Sequence, residues 1–130
     1  MLQPTIEQFM TRSPHTIGQD QTLATAHRIM RSNQIRHLPV LDRGHLVGIL
    51  SQRDLHLLET LKGVDQDEVT VAEAMTSDVE TAEPSLSLHR AAEQMAHRRT
   101  GCLVVTRGDH VIGIFTAVDA LAALVALTRS

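Results

Sequence analysis

A hydroxyl and an aspartate stand three residues apart, between an apolar run and a stretch of helical spacing, at two places in this chain, in Ser51-Gln52-Arg53-Asp54 and in Thr116-Ala117-Val118-Asp119. Each follows an apolar run and opens a stretch of helical spacing, so each reads as a helix N-cap with an acid in the first turn. The free amides of such a helix start also attract phosphate, and the two roles are compatible. Arg36 and Arg53 are either phosphate ligands or solvated surface; Gly101 and Val118 stand in their places in the second stretch. His37, Ser51 and Asp54 supply the residue types of a catalytic triad. No strained nucleophile turn or oxyanion hole accompanies them, and Cys102 stands where the second stretch would need its base. Cys102 itself reads as a small buried residue. No His-Glu-x-x-His or Cys-x-x-Cys spacing marks a metal site. Neither enzymatic activity nor a metal nor a catalytic cofactor is expected.

The elements that must position these residues occur twice. Shifted by 65 residues, the chain overlays itself without a gap: Met10-Thr11 meets Met75-Thr76, Leu23, Ala26 and Met30 meet Leu88, Ala91 and Met95, and Gly48-Ile49 and Asp54 meet Gly113-Ile114 and Asp119. The repeats are 1–62 and 70–130, joined by an acidic linker over 63–69. Each opens with a capping box, Thr5-x-x-Gln8 or Thr70-x-x-Glu73, and a short turn of helix ending at the Met-Thr pair. A short extended segment follows, at 15–17 or 79–82. Thr22 or Ser87 then caps an amphipathic helix whose inward positions are Leu23, Ala26, His27 and Met30, or Leu88, Ala91, Ala92 and Met95. A hairpin comes next, with strands over 38–41 and 46–50, or 103–106 and 111–115. The last helix carries Leu55, Leu58 and Leu61, or Leu121, Leu124 and Val125. The expected fold is α/β (α+β): two tandem β-α-β-β-α repeats packed sheet to sheet about a pseudo-two-fold, with clefts where they meet. Gly48 and Gly113, inside strands, imply close approach of a neighbouring strand or of a ligand.

Composition narrows the function classes. Hydrophobic residues make up 42 % of the 130, enough for a real core, and the net charge is −3. The one lysine and the arginines are scattered, and Trp and Tyr are absent, so neither a phosphate-backbone footprint nor a base-stacking platform is present and no nucleic-acid partner is expected. The longest apolar run, Ala120 to Leu127, is far short of a membrane span. No basic-then-apolar leader opens the sequence, and a single cysteine suits a reducing compartment. A cytoplasmic protein with no membrane insertion is the expectation.

Two stretches carry a family resemblance. Arg36-His37-Leu38-Pro39-Val40 with Leu46-Val47-Gly48-Ile49-Leu50-Ser51-Gln52-Arg53-Asp54, and Gly101-Cys102-Leu103-Val104-Val105 with Val111-Ile112-Gly113-Ile114-Phe115-Thr116-Ala117-Val118-Asp119, resemble the CBS domain, a regulatory unit found in tandem pairs called Bateman modules. The resemblance covers nearly the whole chain. It implies a sensor module that binds AMP, ADP, ATP or S-adenosylmethionine in clefts between the repeats and signals to a protein target that the sequence does not identify. In the family the Asp of the Ser/Thr-x-x-Asp motif holds the ribose hydroxyls, the Ser or Thr lies near the first phosphate, and backbone of the short first strand and of the next strand flanks the adenine. The implied binding residues are Thr16, Ile17, Arg36, His37, Leu38, Pro39, Ser51, Arg53 and Asp54 in the first repeat. In the second they are Thr81, Ala82, Cys102, Leu103, Val104, Thr116 and Asp119. The resemblance also implies a homodimer through the repeat-ending helices, with Leu55, Leu57, Leu58, Leu61 and the 120–127 stretch as contact. An alternative is a ligand-free dimerisation scaffold that docks on a separate enzyme or transporter.

Overall fold

The computed structural model describes residues 3–61 and 63–129. Its elements follow the expected order: a 3-10 turn at Ile6–Gln8, β1 (Thr11–Arg12), β2 (Ile17–Gly18), α1 (Leu23–Asn33), β3 (His37–Asp42), β4 (His45–Ser51), α2 (Gln52–Glu59), α3 (Val71–Ala74), β5 (Thr81–Ala82), α4 (Leu88–Arg98), β6 (Cys102–Arg107), β7 (His110–Thr116) and α5 (Ala117–Leu127). The strands run one residue or so past the apolar stretches that mark them. The β3–β4 hairpin turns on Arg43-Gly44, both with positive φ, the geometry whose twist matches that of the strands it joins.

The chain forms two compact units, residues 15–79 and residues 1–14 with 80–130. In the 15–79 unit the sheet order is β2-β3-β4, with β2 parallel to β3 and β3 antiparallel to β4. Leu23, Ala26 and Met30 of α1 and Leu55 of α2 pack with Ile17, Leu38, Val40, Leu50 and Val71 into its core. The other unit has the order β1-β7-β6-β5. Its core holds Ile6, Met10, Ala91, Met95, Leu103, Val105 and Phe115.

The units therefore differ from the sequence repeats in one respect. The leading turn of the second repeat, with Val71, sits in the first repeat's core, and the leading turn of the first repeat, with Ile6 and Met10, sits in the second's. The strand glycines record this exchange. A Cβ on Gly113 would lie 2.7 Å from Met10 Sδ and 2.9 Å from the Thr11 carbonyl oxygen; a Cβ on Gly48 would lie 3.0 Å from both Met75 Cγ and the Thr76 carbonyl oxygen. A crossing Met-Thr segment, rather than a ligand, is the close neighbour of each glycine. Thr76 and Ile49 exchange backbone hydrogen bonds, each 2.9 Å, at that crossing.

The caps hold as the sequence implies. Thr25 N donates to Thr22 Oγ1 at 3.3 Å and Arg90 N to Ser87 Oγ at 3.1 Å. In the capping boxes of the leading turns, Thr70 N donates to Glu73 Oε2 at 2.8 Å and Thr5 N to Gln8 Oε1 at 3.4 Å. Two inward positions depart from expectation. His27 is partly exposed, with Nε2 facing the Glu59 carboxylate across α1 and α2. Ala92, its counterpart on α4, is exposed and lines a groove with Leu124 of α5.

Candidate functional site

Each hydroxyl–carboxylate pair sits at the strand-to-helix corner of its unit. Ser51 ends β4 in extended conformation and caps α2. Asp54 N donates to Ser51 Oγ at 3.1 Å, and Ser51 N donates to Asp54 Oδ2 at 2.9 Å. A second tie fixes this corner: Gln52 N donates to the Arg36 carbonyl at 2.8 Å. His37 lies opposite Ser51 in the β3–β4 ladder, with Leu38 opposite Leu50 and Pro39 opposite Ile49. The ladder thus gathers Arg36, His37, Ser51 and Arg53 around one hollow of about 450 Å³, which Gln52, His56, Leu57 and Thr60 also line. Thr16 and Ile17 lie on the β2 side of the same sheet, Ile17 paired with Val40. The side chains of Leu38 and Pro39 are fully buried, so only their backbone is free to meet a ligand.

The electrostatics of this corner centre on His37. Its burial lowers its pKa from the ordinary imidazole value; the Asp54 carboxylate pulls the other way and the Arg36 guanidinium adds to the lowering. The imidazole is therefore held neutral among two arginines and a second histidine. A hollow with these walls suits an anion, whose charge would raise the His37 pKa.

The 1–14/80–130 unit repeats the corner with different chemistry. Thr116 N and Oγ1 donate to Asp119 Oδ2 at 2.9 and 3.1 Å, and Asp119 N donates to Thr116 Oγ1 at 3.2 Å. Ala117 N donates to the Gly101 carbonyl at 3.0 Å, the counterpart of the Gln52–Arg36 tie. Thr11 adds a contact of its own: its Oγ1 donates to Asp119 Oδ1 and Oδ2 at 3.3 and 3.4 Å. Cys102, opposite Thr116, is 6 % exposed. Burial, with help from the Asp119 carboxylate, pushes its thiol up to about 12, so it stays a thiol at neutral pH. Leu103 and Val104 are fully or nearly fully buried. Thr81 and Ala82 pair with Val104 and Val105 and line a separate hollow with Glu83, Leu86, Ser87 and Arg90.

Two features of these corners escaped the sequence reading. Gln52, His56 and Thr60 recur every four residues on one face of the α2 segment, a spacing that could have pointed to the hollow's wall. Thr11 belongs to the repeated Met-Thr pair, but nothing in the spacing ties it to Asp119. A triad gains no geometry here, since Ser51 Oγ is engaged as the acceptor of a cap.

Two β-α-β-β-α repeats, each starting its last helix at a hydroxyl–carboxylate box, define a tandem CBS domain pair. The chain belongs to the CBS domain family, whose model matches residues 6–58 and 71–126. It is 28 % identical over 114 residues to the CBS domain-containing protein YhcV of Bacillus subtilis, covering 88 % of this chain and 81 % of that protein. A solved chain of Vibrio cholerae that carries the name acetoin utilization protein (AcuB) is 35 % identical, with a TM-score of 0.87 over 97 % of this chain and 93 % of that one. The CBS domain pair of protein MJ0100, solved with 5-methylthioadenosine and S-adenosyl-L-methionine, is 25 % identical, with a TM-score of 0.83 over 92 % of this chain and 98 % of that one. No helix among the described residues is long and apolar enough to cross a membrane, and they contain no group of three or more His, Cys, Asp or Glu able to hold a metal ion.

Proposed function

We propose that this CBS pair is a regulatory module that binds an adenosine-containing ligand and passes its presence to a partner protein. The observation that carries the reading is the Ser51–Asp54 corner, where a helix start, two arginines and a neutral histidine line one hollow, next to the Asp54 carboxylate that closes the Ser51 capping box. Asp54 receives the ribose hydroxyls by charge-assisted hydrogen bonds. The phosphates meet the start of α2, with Arg36 and Arg53 as counter-charges and Thr16, Ile17, Leu38 and Pro39 beside the base. The bound adenosine derivatives of MJ0100 support this assignment at the level of ligand class. In the second corner Asp119, Thr116, Thr81, Ala82, Leu103 and Val104 take the same roles, beside Cys102, without a counter-charge at 101 or 118. That corner therefore favours a ligand without phosphates, or stays empty.

Calorimetry with AMP, ADP, ATP and S-adenosylmethionine tests the proposal. Binding with a Kd near micromolar, about −8 kcal/mol, is expected for at least one of them. No heat and no thermal shift with any of the four removes the sensing role.

A homodimer is part of this reading. It is supported by the large apolar side chains that α5 leaves exposed, among them Val118 at 71 % and Val125 at 64 %. The same observation favours the second reading, a ligand-free scaffold that docks on a separately encoded enzyme or transporter. A dimer that gives no calorimetric signal would support it.

A further inference from the structure

Thr11 and Thr76 are equivalent members of the repeated Met-Thr pair, and Asp119 and Asp54 are equivalent acids. Their contacts are not equivalent. Thr11 Oγ1 donates across both oxygens of Asp119, at 3.3 Å to Oδ1 and 3.4 Å to Oδ2. Thr76 exchanges backbone hydrogen bonds with Ile49, and among the described residues its hydroxyl makes none to Asp54, whose one donor is Ser51 N, at Oδ2. The two segments are also held differently. Thr11 and Arg12 form β1, which pairs Thr11 with Ile114 and Arg12 with Gly113 of β7, and Ser13 N extends the ladder by donating to the Ile112 carbonyl at 3.1 Å. Arg107 at the end of β6 forms an ion pair with Glu7 of the leading turn at 3.3 Å. Thr76 has an isolated bridge to Ile49, and Ala72 and Asp42 stand where Glu7 and Arg107 stand in the other unit.

A ribose brings two hydroxyls to its carboxylate, and an ionised carboxylate offers about four acceptor positions. At Asp119 three donors already hold such positions: Thr116 N, Thr116 Oγ1 and Thr11 Oγ1. That leaves room for about one hydroxyl, not for a diol. At Asp54 the Ser51 amide holds one position, and a diol fits beside it.

We propose that Thr11 is the specificity-determining residue of the second corner: its hydroxyl stands in for a ribose hydroxyl on Asp119, and a nucleoside enters only by displacing it. The inference rests on the reading of Asp119 as a ribose ligand and gives the inequality of the corners a second cause. The lack of cations at Gly101 and Val118 disfavours phosphates; Thr11 disfavours the nucleoside itself. The cap of α5 does not need Thr11, since Thr116 N and Asp119 N already close the box at 2.9 and 3.2 Å. Thr11 is exposed, so a ligand can reach its hydroxyl, and a change of its χ1 rotamer takes the hydroxyl off the carboxylate.

Calorimetry with adenosine tests the assignment on chains that carry Asp54→Ala, so that the second corner is the one left to fill. Thr11→Val replaces the hydroxyl by a methyl and keeps the β-branched shape that suits a strand. It should tighten adenosine binding by about tenfold or more, the scale of one hydrogen bond to a charged group. Thr11→Ser keeps a hydroxyl and should bind adenosine no better than the Thr11 chain. Adding Asp119→Ala to Thr11→Val should abolish the gain. Adenosine binding that stays unchanged, weakens or is undetectable in Thr11→Val, an equal gain in Thr11→Ser, or a gain that survives Asp119→Ala would overturn the inference. ATP titrated into Thr11→Val with Asp54 intact keeps the two readings apart. Heat there upholds the sensing role even where the Thr11 assignment fails; no heat with either ligand removes both.

Discussion

Asp54 and Asp119 do two jobs at once, and the jobs can be separated. Each closes a capping box and each is the proposed ribose ligand. Asp54→Ala should destabilise the fold by about 0.5–1 kcal/mol through the lost carboxylate of the capping box and weaken ligand binding by a further 1.5–3 kcal/mol. Asp54→Asn retains a cap acceptor but not the charge, so it should restore most of the stability and little of the affinity. Denaturant unfolding and calorimetry on the same two proteins check this. His37 gives a pH prediction at the same scale. Its folded pKa lies below the unfolded value near 6.5, so the unfolded state binds more protons between those two values. Its contribution is fully present above pH 6.5 and is lost as pH falls through that value toward the folded pKa. His37→Gln should flatten the fall in stability below pH 6.5. A saturating phosphorylated nucleotide should flatten it too, by holding the proton on the imidazole.

At the scale of elements, the chain was largely legible. Apolar runs of strand length, turn residues between them and a hydroxyl before each helix specify where elements start and stop, and the 65-residue register doubles every such signal. The hidden part was partner choice. Met10-Thr11 and Met75-Thr76 are near-identical segments, and Gly113 and Gly48 are equivalent sites for them. Either segment could cross either strand with the same burial, so no pattern in the sequence distinguishes the exchanged arrangement from the direct one. Thr11 reaches Asp119 only as a consequence of that exchange. The face of α5 was hidden for a related reason: a helix apolar all round has no periodicity from which to read a buried side. The crossing gives a test of its own. Gly113→Ala forces a Cβ against the Thr11 carbonyl, which belongs to backbone that cannot swing aside, and should cost about 1–3 kcal/mol in urea unfolding. Arg99→Gly should act in the opposite direction. Arg99 ends α4 with φ of 54°, a left-handed conformation in which a side chain costs about 1 kcal/mol.

For the whole molecule, the compact units and the sequence repeats make different predictions about fragments. Residues 15–79 contain every buried member of one core, including Val71. Residues 1–62 lack Val71 and carry Ile6 and Met10, whose core lies in the other unit. The 15–79 fragment should therefore retain more helix by circular dichroism, and melt higher, than the 1–62 fragment of similar length. The repeats are equivalent in fold and unequal in charge: Arg36, His37, Arg53 and His56 face Gly101, Cys102, Val118 and Leu121 at matching positions. Only the first corner carries the cations that an anion needs, and this inequality sets the expected stoichiometry of one phosphorylated nucleotide per chain.

Titration of the wild-type chain, Asp54→Ala and Asp119→Ala with ATP and AMP in a calorimeter bears most directly on the account. One site per chain near micromolar Kd, weakened at least tenfold by Asp54→Ala and little changed by Asp119→Ala, is the predicted result. Full affinity in a well-folded Asp54→Ala protein would contradict it.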